Sequence, residues 1–183
     1  MIWEESGPQN TLRTLKIAIN ACREQGIRHI VIASNTGATV RKLLELNING
    51  LSINCVTHHV GFKGPGIDEM SDNERAYFTS KNIKVLTTTH VLAGVDRGVR
   101  NSFGGIYPPE IIANSLRMLS QGLKVCVEIS VMALDSGIIP YGEPVVAIAG
   151  SGTGADTAAV IVPEHSNNIF GLKIHEILCK PKK

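Results

Sequence analysis

The chain is 183 residues long, carries a formal charge of +2, and is 43% hydrophobic, 19% charged and only 4% aromatic. That length fits one domain and can bury a core without disulfides or metals, and the composition excludes a disordered chain. With so few aromatics the core must come from Ile, Val, Leu and Ala, which favours a parallel sheet covered by helices.

No basic stripe or aromatic-basic pattern suggests nucleic acid; the cluster Lys180, Lys182, Lys183 reads as a solvated tail. No apolar stretch approaches the ~20 residues that cross a bilayer. The start is acidic at Glu4 and Glu5 rather than signal-like, so a cytoplasmic protein with no membrane partner is expected. Cys22, Cys55, Cys126 and Cys179 are scattered without zinc spacing and read as buried thiols.

The apolar residues from Asn10 to Glu24 recur on one helical face, with Asn10 as a possible cap and Gly26 at a left-handed stop. Ile27 to Ala33 is the first predicted strand and Thr39 to Leu46 a helix. Leu51 to Val56 is the second strand, followed by a glycine-rich loop from His58 to Ser71. Asp72 to Ser80 reads as a short helix capped by Ser71 or Asp72, and Ile83 to Thr88 as the third strand. His90 to Tyr107 is a long polar stretch that must carry function or short structure of its own. A helix starts at Pro108-Pro109-Glu110 and runs to Ser120, broken near Gly122; another runs from Lys124 to Ser136 and stops at Gly137. Pro144 to Ala149 is the fourth strand. Thr157 to Val162 and Leu172 to Cys179 look like a closing hairpin or antiparallel edge. Alternating strands and helices give a single α/β domain over residues 1–183, three-layered, with a mostly parallel sheet.

Two loops carry the chemistry. Ser34-Asn35-Thr36-Gly37-Ala38-Thr39 joins a strand to a helix start, where hydroxyls and free amides favour an anion; Ser34 or Thr36 as a plain helix cap explains the same residues. Gly150-Ser151-Gly152-Thr153-Gly154 also follows a strand. It formally belongs to a G-x-G-x-x-A pattern, but the β-branched run Ala158 to Val162, ending at Pro163, leaves little room for the helix a dinucleotide fold requires. A glycine nest approaching a phosphate or a ring, or a tight strand connection, remains.

These residues resemble the C-terminal domain of pyruvate kinase, and more closely the stand-alone proteins of that alpha/beta domain family. Ser34 to Thr39 matches the family's phosphate loop best at Thr36, Gly37 and Thr39, and Gly152 to Pro163 resembles a later glycine-rich loop leading to a Val-rich strand. The resemblance implies strand order 3-2-1-4-5 with the end antiparallel, which sets both loops at one switch point. The barrel that carries the kinase active site is not in the chain, so phosphoryl transfer from phosphoenolpyruvate is not expected. Nor does the glycine-rich loop supply the Arg and Trp of the fructose bisphosphate site. The resemblance to stand-alone members suggests flavin mononucleotide, so a flavoprotein that binds a phosphorylated small molecule is expected.

Other residues could complete such a site. His58 and His59 end the second strand and Thr89 and His90 the third; they could contact a ring or move a proton, or simply form a polar rim. Adjacent strand residues point to opposite faces, which argues against His58, His59 and His90 sharing a metal. Arg97, Ser102, Phe103 and Gly104 sit in a segment that could be a lid over an anion, or a surface loop with an Asp96–Arg100 pair. Glu128 and Asp135 read as solvated at a helix edge. No nucleophile–base–acid set is apparent. A flavin-dependent oxidoreductase and a ligand-regulated oligomerisation module stand as alternatives, the latter with a homo-oligomer interface at Ile138-Ile139 and the final strands.

Overall fold

Aliphatic runs form the strands where the sequence places them. The computed structural model describes residues 1–182. In chain order the elements are β1 (Ile2–Trp3), α1 (Thr11–Glu24), β2 (His29–Ala33), α2 (Ala38–Leu44), β3 (Ser52–Val56), α3 (Asp72–Ser80) and β4 (Lys84–Leu86). There follow α4 (Val95–Phe103), α5 (Pro108–Arg117), α6 (Gln121–Asp135), β5 (Val145–Ala149), β6 (Thr157–Val162) and β7 (Lys173–Pro181).

The described residues form one seven-stranded sheet of order β1-β7-β6-β5-β2-β3-β4. Strands β4, β3, β2 and β5 are parallel, β6 runs antiparallel to β5, and β7 antiparallel to β6. Read from β4 to β6, this is the expected order; β7 and then β1 extend it. Strand β1 was not predicted, because two residues carry no periodicity. It pairs parallel to Lys180 and Pro181, which therefore belong to β7 rather than to a solvated tail, while Lys182 bridges to Glu4 at 2.8 Å. Lys183 lies outside the described residues.

Alternation along the strands splits the core in two. Ile30, Ile32, Val146 and Ile148 face α1, α2 and α3, whereas Val31, Val145, Ala147 and Ala149 face α6. Helix α6 starts at Gln121 because the Ser120 hydroxyl accepts from the Leu123 amide at 2.9 Å. Gly122 does not break it: a Cβ there would lie 2.1 Å from the Thr157 hydroxyl, so the glycine lets the helix close on β6.

The stretch from His90 to Tyr107 carries short structure of its own, helix α4. Four further expectations are corrected. Arg100 of α4 pairs with Glu110 at 2.8 Å instead of Asp96. Glu128 is buried in the α6–sheet layer, not solvated, and Asn10 precedes α1 without a capping bond, its side chain donating to Glu5. Ile139 is buried in the core and so offers no surface to an Ile138-Ile139 interface. No helix among the described residues is long and apolar enough to cross a membrane.

Candidate functional site

Both glycine-containing loops leave the sheet where β2 and β5 run side by side, and both open on one cleft of about 630 Å³. Ser34, Asn35, Thr36, Ala38 and Thr39 line it from one side, and Gly150, Gly152, Thr153 and Gly154 from the other. His58, His90 and Arg97 line it too. Gly37 and Ser151 do not, and Ser102, Phe103 and Gly104 lie exposed at the far end of α4, away from it.

The first loop is partly a cap and partly a nest. The Ser34 hydroxyl accepts from the Thr39 amide at 3.2 Å, which is the capping role its position allowed. Among the described residues, the amides of Asn35, Thr36, Gly37 and Ala38 donate to no protein acceptor, and the Thr36 and Thr39 hydroxyls make no hydrogen bond. Gly37 adopts φ 88°, and a Cβ there would come within 2.7 Å of Glu74 and 2.9 Å of Phe78. Glu74 is itself held by Arg41 of α2 at 2.7 and 2.8 Å. Gly37 therefore turns the chain against α3 and leaves four successive amides unpaired, with Asn35, Thr36 and Ala38 lining the cleft.

The second loop is braced from behind. Asp156 is fully buried; its carboxylate accepts from the amides of Gly7 (3.1 Å) and Ser151 (3.2 Å) and from the Thr157 hydroxyl (2.9 Å). Trp3 donates its indole N–H to the Asp156 carbonyl at 2.6 Å, and the Ala155 amide donates to Thr11 at 3.0 Å. The N-terminal segment thus straps the loop, and Ser151 and Ala155 are spent on the fold. The amides of Gly152, Thr153 and Gly154 have no protein acceptor among the described residues.

The rim after β3 is aromatic and titratable. His58 stacks on Phe62 with ring centroids 3.7 Å apart, and His58 and His59 lie 5.4 and 5.2 Å from His90. The two adjacent histidines reach the same neighbour because they follow Val56, the last residue of β3, so strand alternation no longer governs them. They pack as rings; no group of three His, Cys, Asp or Glu among the described residues is placed to hold a metal ion. The His58 Nδ1 meets Glu69 at 2.7 Å. Burial, opposed by Glu128 and reinforced by His58, Lys124 and His59, pushes His90 down to about 4.

Sequence reasoning missed Phe62, Glu69, Arg117, Gln121, Lys124 and Glu128, all of which line the cleft. Lys124 and Glu128 form a buried ion pair four residues apart on α6, and Glu128 also accepts from the Leu92 amide at 3.0 Å. Two opposite charges at helical spacing inside the run Leu123 to Leu134 were the available signal. Arg117 is held by Asn114 and Gln121, while the Arg97 guanidinium makes no hydrogen bond or ion pair among the described residues.

The sequence profile of the family described as "Pyruvate kinase, alpha/beta domain" matches residues 13–161. Among solved structures, the chain is similar to a pyruvate kinase of Cryptosporidium parvum, with 14% identity, TM-score 0.37, and coverage of 75% of this chain and 20% of that one. It is also similar to a Cryptosporidium parvum pyruvate kinase in complex with ADP, with 14% identity, TM-score 0.39, and coverage of 81% and 22%. The chain spans about a fifth of the length of these pyruvate kinases. The profile covers most of the sequence, both loops included, and the chain belongs to the pyruvate kinase alpha/beta domain family.

Proposed function

We propose that the cleft binds a phosphorylated small molecule, with flavin mononucleotide as the candidate that the family resemblance suggests. One observation carries the reading: four successive amides, Asn35 to Ala38, have no protein acceptors, and Asn35, Thr36 and Ala38 line a cleft that Arg97 also lines. Successive unpaired amides form an anion nest, and a nearby guanidinium strengthens it without fixing its geometry. The size lies within the ordinary range for ligand pockets.

The residues present fit a flavin phosphate. Asn35 to Ala38 would take the phosphate, and the Phe62–His58 face with Val125, Ile129 and Met132 offers an apolar lining for a ring. When bound, flavin supplies electron and hydride transfer. Flavin mononucleotide should bind at least about tenfold more tightly than riboflavin, a difference of ~1.4 kcal/mol. Fluorescence titration of purified protein measures this. Equal affinity for the two removes the phosphate site, and no uptake of either removes flavin.

A second reading, a flavin-dependent oxidoreductase, is favoured by the Glu69–His58 contact, which orients an imidazole at the cleft rim. Turnover of an electron donor in the presence of flavin separates it from simple binding.

A further inference from the structure

Lys124 is the one buried lysine among the described residues, and it lines the same cleft. We propose that Lys124 is a reactive amine that condenses with the carbonyl group of a phosphorylated aldehyde or ketone held in this cleft. The inference rests on the phosphate site proposed above and goes beyond it by naming the ligand's second functional group.

The ion pair is poorly explained as a stability device. A buried pair must repay the desolvation of two charges, and well-packed apolar side chains often do as well or better. Its neighbours on α6, Leu123, Cys126, Val127 and Ile129, show that an apolar surface was available there. What the pair provides is an amine shielded from bulk water yet open to a ligand, with a proton acceptor beside it. Glu128 is fixed for that task, one oxygen bound to the Leu92 amide and the other to the Lys124 ammonium. Burial pulls the Lys124 amine below the usual lysine range; Glu128 opposes this, and Arg117 and Arg97 add to it. These are the surroundings in which a lysine becomes a nucleophile.

The step balances without an oxidant or reductant. The ammonium passes one proton to Glu128, and the freed lone pair forms a bond to the carbonyl carbon while the C=O electron pair moves to oxygen. That oxygen takes up the proton from Glu128 and then a second from nitrogen. It leaves as water, and the nitrogen lone pair closes a protonated C=N bond. Ammonium and carbonyl thus give iminium and water.

The test uses pyridoxal phosphate and pyridoxal as reporter aldehydes on the whole chain, with borohydride reduction and peptide mapping. Label from pyridoxal phosphate should concentrate on Lys124 rather than on the exposed lysines, fall when inorganic phosphate competes, and be lost from that peptide in Lys124→Arg. Glu128→Gln should slow its appearance. Mapping the unaltered protein keeps the result readable even if a variant folds poorly. Label confined to exposed lysines, while flavin mononucleotide still binds, overturns the imine alone. Equal labelling of Lys124 by pyridoxal overturns the phosphate anchor, and with it the function proposed above.

Discussion

Asn35 and His58 hold each other twice across the cleft: the His58 amide donates to the Asn35 Oδ1 at 3.0 Å, and the Asn35 Nδ2 lies 3.2 Å from the His58 Nε2. The first bond fixes which end of the Asn35 amide donates. It follows that His58 Nε2 accepts and that Nδ1 carries the ring proton, given to Glu69. Nitrogen-15 spectra of labelled histidine should show His58 protonated at Nδ1 near neutral pH. Asn35→Ala should keep that tautomer, which the Glu69 carboxylate still requires, and cost about 1–2 kcal/mol in urea unfolding, because the His58 amide loses its acceptor.

Gly37 sets the turn of the first loop beside the cleft without lining it. At φ 88°, with Glu74 and Phe78 within 3 Å of any Cβ, Gly37→Ala should destabilise the fold by roughly 2 kcal/mol or more. Thr36 is exposed at the cleft and is the better probe of binding. Thr36→Val should weaken flavin mononucleotide binding with an unchanged urea midpoint; unchanged affinity would count against that hydroxyl.

Asp156 ties the N-terminal strap to the glycine loop. Asp156→Asn presents an amide donor to a set of donors, and should cost ~3 kcal/mol in urea unfolding by leaving one of them unsatisfied. Limited proteolysis should then cut within residues 4–10 before the core opens. A variant as protease-resistant as the parent would show that the strap is held by β1 pairing alone.

The depressed His90 makes stability depend on pH. Its folded value of about 4 lies below the ordinary 6.5, so between these pH values the unfolded chain binds a proton that the folded chain excludes. Stability should therefore rise with pH through that window and be lost as pH falls, by about 3 kcal/mol over the whole range. Urea midpoints at pH 7 and pH 5 measure the slope. His90→Gln should flatten it, whatever it does to the stability itself.

Lys124→Met leaves Glu128 charged and unpaired in an apolar layer, and should destabilise the protein by about 3–5 kcal/mol. Lys124→Met with Glu128→Leu removes both charges and should recover most of that loss. Urea unfolding of the parent, the single and the double variant checks it; equal losses in single and double variants would mean that packing, not charge, governs the site.

The amino-acid sequence by itself determined the architecture. Aliphatic runs such as Ile30 to Ala33 and Val145 to Ala149 can only be buried strands, and the helices between them force parallel crossovers. It also marked both glycine-containing loops, because residue type limits backbone conformation locally. Tertiary structure alone decided which of their amides stay free. Ser34 and Ser151 are equally polar in sequence, yet one caps α2 beside the cleft and the other is turned to Asp156, a residue fixed in turn by Gly7. The partnership of His58 with Glu69, and the burial of Lys124 and Glu128, likewise depend on how α6 and the loop after β3 close over the sheet. Such contacts join residues distant in the chain, and local periodicity carries no record of them.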